Sequence, residues 1–194
     1  MKNHGLIEML PCALPDKRSH NHHIPFEILL CLAVTVKLKI KTSLTDVPFA
    51  VNDAQLLAEL GWNIWDNERC LNEGLFSESV MRELLSKYSS EEWICFYNSY
   101  VQKHLMPKLD IKPNIHILDC TKIPVNLQNE NYENSFVVKI DGETFRGYKL
   151  GVLRGIMDDS GIAEEVVFGT LKTHNLELVK DMLKTTPCLK AHDI

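Results

Sequence analysis

The sequence predicts a mixed α and β protein in which a helical amino-terminal part precedes a smaller group of strands. Apolar side chains recur at helical spacing over most of the first 110 residues. After Pro113 the pattern changes to short runs rich in Ile, Val and Leu that are separated by turn residues. We therefore expect a polar, solvated arm at residues 1–23, a helical domain at 24–110 and an α/β domain at 111–194.

The composition is typical of a globular protein. The chain has 194 residues, of which 45% are hydrophobic and 24% charged, with a net charge of −5. Its longest apolar run, 24–36, contains Glu27 and is too short to span a bilayer. The first residues carry no signal-peptide pattern, so we expect a cytoplasmic protein without a membrane partner. The negative charge means that any DNA contact would need a local basic patch.

Several helices are predicted before Pro113. Residues 24–40 are typical of a buried helix, although 36–41 also alternate like a strand. Another helix is expected at 53–60. Ser77 can cap the next one, whose apolar stripe comprises Val80, Met81, Leu84, Leu85 and Tyr88. Ser89 and Glu92 have the spacing of a capping box, and the helix that they begin should end just before Pro107. The His-rich tract 19–23 is more typical of a solvated arm than of a metal site.

Strands are predicted from residue 115 onward. The first should cover 115–121. The second, 136–140, runs into Asp141-Gly142, a dipeptide typical of a two-residue hairpin turn. Further strands are expected at 146–157 and 164–171, with Asp158 and Asp159 in the turn between them. A last helix should cover 176–185, with Asn175 as its cap.

Asp119 is the residue that points most directly to chemistry. Alternation places it on the same face as Ile115 and Ile117, near the carboxyl end of a strand that we expect to be buried. A buried carboxylate needs a metal, a cation or hydrogen-bond donors to offset its desolvation. Asp119 could therefore hold a divalent metal, or be a structural acid bonded to backbone donors nearby. The neighbouring sequence supplies no second carboxylate for a metal.

Cationic residues accompany the predicted hairpin. Alternation places Arg146 and Arg154 on one side of their strand and Lys149 on the other, while Lys122 follows Asp119 closely. These groups could hold phosphate oxygens, or form an ordinary solvated strand face. His174 precedes a helix start, where a phosphate can bind, although a lone histidine there is more often a local structural contact.

Three segments resemble a known family. The runs 116–122, 147–161 and 173–175 look like parts of a DDE-type transposase of the insertion-sequence-four group, whose catalytic domain has an RNase H-like fold. Residues 43–49 are similar to the amino-terminal domain of such transposases. The resemblance covers most of the chain and is strongest over 114–190.

The resemblance implies metal-dependent cleavage and strand transfer of DNA. Family members use three carboxylates to hold two Mg²⁺ or Mn²⁺ ions. Asp119 matches the first of these acids, which makes it the implied catalytic residue and metal ligand. The implied DNA contacts are Lys122, Arg146, Lys149, Arg154 and His174. The implied partners are the terminal repeats of an insertion sequence and further transposase subunits.

The family's second and third acids have no counterpart in the sequence. The second belongs to a strand expected near Ile194, and Asp193 does not occupy its position. We therefore expect a truncated transposase with an incomplete RNase H-like domain, which binds metal poorly and does not transfer strands alone. The alternatives are a non-catalytic DNA-binding or regulatory fragment that pairs with intact transposase, and a degenerate product that folds poorly.

Overall fold

The computed structural model describes residues 5, 9–18, 24–39, 54–60, 78–128, 131–157 and 160–185. Its described residues form both helices and strands, and the strands form an antiparallel sheet, so the predicted mixture of helix and strand is confirmed. The chain divides into two compact units, Met1–Phe96 and Tyr97–Ile194. The division therefore falls earlier in the chain than the boundary at residue 110 that the sequence predicts.

The described helices of the first unit follow in sequence order. Helix α1 covers Leu10–Ala13, α2 Phe26–Lys39, α3 Ala54–Glu59, α4 Glu78–Ser86 and α5 Ser90–Tyr100, the last of which crosses the division. Helix α2 is buried along its described side chains, as predicted: Phe26, Ile28, Leu29, Leu30 and Leu32. The sequence left open whether residues 36–41 form a helix or a strand. Residues 36–39 are helical, because α2 continues to Lys39. Residues 43–49 and Ser77 lie outside the described residues.

The prediction of a solvated amino-terminal arm is met only in part over residues 9–18. Leu10 and Leu14 are buried there, whereas Pro15, Asp16 and Lys17 are exposed. The hydroxyl of Tyr88 donates to the carbonyl oxygen of Pro15 at 2.7 Å and accepts the amide of Lys17 at 3.0 Å. Burial raises the pKa of the Tyr88 hydroxyl, so it stays a neutral donor. Two buried leucines thus anchor a segment whose other residues are mostly polar. The His-rich tract 19–23 lies outside the described residues.

Helix α5 begins as the sequence predicts and ends later. The Ser89 amide donates to Oε2 of Glu92 at 2.9 Å, and the Glu92 amide donates to the Ser89 hydroxyl oxygen at 3.2 Å, which confirms the capping box. A π-helical turn, Val101–Leu105, and a last short helix α6, Met106–Lys108, continue α5 past the predicted end. Pro107 lies in the first turn of α6, directly after the π-helical turn. The helical path ends at Asp110, which has φ +51°.

The second unit is built on the long strand β3. The sheet contains β1 (Ile115–Val125), β2 (Phe136–Ile140), β3 (Glu143–Met157) and β4 (Ser160–Thr170). β3 pairs antiparallel with each of the other three strands. Asp141 and Gly142, with φ +53° and +88°, join Ile140 to Glu143, which confirms the predicted two-residue hairpin. Asp158 and Asp159 lie outside the described residues.

The outer edge of β4 is covered by side chains from α5 and the π-helical turn. Asn98 donates from Nδ2 to the carbonyl oxygen of Val166 at 2.9 Å and accepts the Val166 amide at 2.9 Å, as a neighbouring strand would. The Tyr97 hydroxyl donates to Ala163 at 2.8 Å, and burial raises its pKa. These bonds satisfy edge groups that would otherwise be open to another chain. They explain why residues from Tyr97 onward group with the sheet.

The last helix, α7 (Asn175–Thr185), packs against one face of the sheet, which we call the helix-covered face. Glycines in β3 and β4 let it approach: a Cβ at Gly151 would lie 3.6 Å from Met182, and a Cβ at Gly169 would lie 2.8 Å from Leu178. Leu178 and Met182 are 2% and 1% exposed. The predicted order of strand, hairpin and helix is therefore observed. The other face of the sheet is called the open face below.

Candidate functional site

Asp119 lies on the open face, in the middle of β1. The strand has 11 residues and Asp119 is the fifth, because β1 continues to Val125 instead of ending near Thr121. Ile115 and Ile117 share this face, as predicted, but they are 56% and 49% exposed, and Asp119 is exposed as well. The predictions of a buried carboxylate and of a position at the strand end are therefore wrong. Alternation gave the correct grouping of side chains, whereas the position of α7 decides which face is covered.

The environment of Asp119 does not demand a metal. Its Oδ1 accepts the amide of Cys120 at 2.7 Å, which is the kind of backbone contact expected of a structural acid. A solvated carboxylate needs no cation to offset burial, so the desolvation argument for a metal does not apply here. Across the described ranges, no three His, Cys, Asp or Glu side chains are grouped as a metal ion would require. The described residues thus offer Asp119 as a single carboxylate and do not fit a two-metal centre.

Arg154 is the predicted cationic residue closest to Asp119 in the sheet. Asp119 pairs with Val152, and Ile117 pairs with Arg154, so Asp119 and Arg154 are diagonal neighbours on the open face. Arg154 is exposed, and a Cβ at Gly161 would lie 2.5 Å from its Nε, so the guanidinium extends over β4. Because β1 and β4 lie on opposite sides of β3, the guanidinium extends away from Asp119.

Arg146 shares the open face but lies far from Asp119. It pairs with Val125, six residues along β3 from Val152, which corresponds to roughly 20 Å along the strand. Burial raises the pKa of the neighbouring Tyr148 hydroxyl, and the Arg146 guanidinium opposes this rise with a smaller effect. Arg146 and Asp119 therefore do not belong to one compact site.

Lys122 and Lys149 lie on the helix-covered face, opposite each other in the β1–β3 pairing. The structure agrees with the prediction that Lys149 points away from Arg146 and Arg154. The Lys149 ammonium donates to the carbonyl oxygen of Thr173 at 2.5 Å and so holds the connection between β4 and α7. The sheet separates both lysines from Asp119.

His174 caps α7, a role that the sequence assigned to Asn175. Its Nδ1 accepts the amide of Leu176 at 3.2 Å, and its own amide donates to Oε2 of Glu177 at 3.4 Å. The two residues cap the helix reciprocally. The local structural contact expected of His174 is therefore observed, and its contact with a phosphate stays a prediction.

A buried acidic pair in β4 was missed by the sequence reasoning. Glu164 and Glu165 are 2% and 4% exposed, next to a register shift between β3 and β4. Nε2 of His116 lies 3.1 Å from Oε1 of Glu164, and Gln102 donates to Oε2 of Glu165 at 3.1 Å. Two consecutive polar residues within an apolar strand break its alternation, and this was the available signal of a β-bulge.

Comparisons of the chain with protein-family models, curated proteins and solved structures found no match. Within the described part of the chain, every helix is too short or too polar to cross a lipid bilayer.

Proposed function

We propose that the chain is part of a DDE-type transposase of the insertion-sequence-four group. In this proposal β1, β3, β4 and α7 correspond to the first strands and the following helix of an RNase H-like domain. The observation that carries the proposal is the position of Asp119 on β1, paired with the central strand β3 and diagonal to Arg154 on one face. The order of strand, hairpin and helix supports the same assignment.

Asp119 takes the role of the first metal ligand in this proposal, and Arg154 contacts a DNA phosphate over β4, on the same face of the sheet. The Mg²⁺ or Mn²⁺ ions of the family activate the attacking oxygen and stabilise the leaving one. This chemistry needs further carboxylates, which a longer polypeptide or another subunit would have to supply. The role of this chain is to present one carboxylate and one guanidinium on a rigid sheet.

Cleavage of DNA that carries the terminal repeats of an insertion sequence tests the proposal. The reaction should need Mg²⁺ or Mn²⁺ and occur in a polypeptide extended to include the two further acids. The 194-residue chain alone should cleave at background level. Equal cleavage by the short chain would contradict the proposal that Asp119 needs partner acids, and no cleavage by either polypeptide would contradict the transposase assignment.

A second candidate function is DNA binding without catalysis. The contact between Asp119 and the Cys120 amide favours it, since this carboxylate already has a structural role. Gel-shift titrations with terminal-repeat DNA at several salt concentrations test it. Arg154→Ala should weaken binding and reduce the salt dependence by about one phosphate contact, whereas Lys149→Ala, on the other face, should leave that slope unchanged. Equal slopes for both variants would remove this candidate.

A further inference from the structure

The Arg154 guanidinium lies on the open face, over the start of β4. A Cβ added to Gly161 would lie 2.5 Å from its Nε, 2.9 Å from its Nη2 and 3.1 Å from its Cζ. Because both nitrogens are closer than Cζ, the Nε–Nη2 edge of the guanidinium is turned toward Gly161. Gly161 pairs with Ile156, so it is a diagonal neighbour of Arg154 in the β3–β4 pairing. The guanidinium therefore occupies space that Gly161 leaves open because it has no side chain.

A β-bulge in β4 places small residues next to Arg154. Leu153 pairs with Glu165, and a regular antiparallel ladder would then pair Arg154 with Glu164. The register shift instead pairs Arg154 with Ala163, so Glu164 is the extra residue of the bulge. The residue directly opposite Arg154 is thus an alanine and not a glutamate.

The bulge also directs the Glu164 carboxylate away from Arg154. Its Oε1 lies 3.1 Å from Nε2 of His116, on the helix-covered face. In a regular ladder Glu164 would lie opposite Arg154, where an acid and a base attract each other. Ile162 would then take the diagonal position of Gly161 and fill the space of the guanidinium. The bulge therefore keeps Arg154 from this carboxylate and provides room for its side chain.

We propose that Arg154 binds one DNA phosphate through the Nη1–Nη2 edge of its guanidinium and that Gly161 is a positioning residue for it. This inference rests on the DNA contact of Arg154 proposed above. A planar guanidinium can donate two parallel N–H bonds to two phosphate oxygens. Since the Nε–Nη2 edge already faces the sheet at Gly161, less side-chain freedom is lost when the other edge binds the phosphate. Gly161 acts through Arg154 and does not contact the DNA.

Gly161→Ala tests the positioning role in gel-shift titrations with terminal-repeat DNA. The added Cβ would displace the guanidinium, so binding should weaken by about 3- to 10-fold, which is part of the loss expected for Arg154→Ala. In the Arg154→Ala background the same change should alter the dissociation constant by less than about twofold, because Gly161 acts only through Arg154. An equal loss in both backgrounds would overturn the positioning role.

Arg154→Lys tests the contact through two parallel bonds. An ammonium keeps the positive charge but lacks the planar pair of donors. The salt dependence of binding should therefore match that of the native protein, while the dissociation constant rises by about 3- to 10-fold. Native affinity in Arg154→Lys would overturn the two-bond contact.

Thermal melts and a matched glycine variant control for effects on folding. Gly161 lacks the positive φ of Gly142, so Gly161→Ala should change the melting temperature by less than about 4 °C. A Cβ at Gly142 meets no atom within 4 Å, so Gly142→Ala should keep the DNA affinity within about twofold of the native value. A loss of affinity in Gly142→Ala equal to that in Gly161→Ala would contradict a specific effect on Arg154.

The same titrations separate a failure of this inference from a failure of the proposed function. Native affinity and salt dependence in Arg154→Ala, or no salt-sensitive binding by the native protein, would contradict the DNA contact itself and the positioning role with it. Weaker binding in Arg154→Ala but native affinity in Gly161→Ala would contradict the positioning role alone.

Discussion

Replacing Asn98 with Ala should uncover the outer edge of β4 and destabilise the second unit. The change removes both hydrogen bonds to Val166, each 2.9 Å long. At about 0.5–1.5 kcal/mol net for each bond, the expected loss in the free energy of unfolding is about 1–3 kcal/mol. For a unit of this size each kcal/mol lowers the melting temperature by roughly 4–8 °C.

Thermal melts and amide hydrogen exchange test this expectation together. The Val166 amide should exchange faster in Asn98→Ala, because its acceptor is Oδ1 of Asn98. Asn114→Ala, which changes an exposed asparagine of the same unit, should change the stability by less than about 0.5 kcal/mol. An unchanged melting temperature with unchanged exchange at Val166 would refute the reasoning that Asn98 takes the place of an edge strand.

Two further predictions concern the packing around β4. Burial raises the pKa of the Tyr97 hydroxyl in the folded protein. Tyr97 therefore stabilises the folded state at pH values below its pKa in the unfolded chain, about 10, and this stabilisation is lost as the pH rises through its pKa in the folded protein. Urea titrations between pH 8 and 11 should therefore show a smaller loss of stability in Tyr97→Phe than in the native protein; an identical pH dependence would contradict the assignment. Gly155→Ala should destabilise strongly, by more than about 2 kcal/mol, because its Cβ would overlap Glu164 and the Pro113 ring. Gly142→Ala is the control, because a Cβ there meets no atom within 4 Å. It should lower the free energy of unfolding by about 1 kcal/mol through the positive φ of Gly142. Equal losses for the two glycine variants would refute the close contact at Gly155.

Local signals in the sequence predicted local structure correctly. The capping box of Ser89 and Glu92 and the turn of Asp141-Gly142 each depend on neighbouring residues, and both are observed. The predicted helix end before Pro107 is not observed, because the π-helical turn Val101–Leu105 continues the helix into α6.

The candidate site was harder to predict because exposure depends on distant elements. Alternation correctly grouped Asp119 with Ile117, but it cannot say which face α7 covers. The buried Glu164 contacts His116, from a different strand, and the buried Glu165 accepts a hydrogen bond from Gln102, from the π-helical turn. The prediction that Asp119 begins a DDE site rests on the resemblance of segment 116–122 and stays a prediction.

The rate of terminal-repeat cleavage by a polypeptide that includes the further acids tests the central claim most directly. Asp119→Asn should reduce the Mg²⁺-dependent rate by at least about 100-fold, since it replaces a direct metal ligand. Asp141→Asn is the matched control, because it changes an exposed aspartate in a turn that asparagine also favours. This variant should keep the native rate. An Asp119→Asn rate equal to that of Asp141→Asn would contradict the assignment of Asp119 as a catalytic metal ligand.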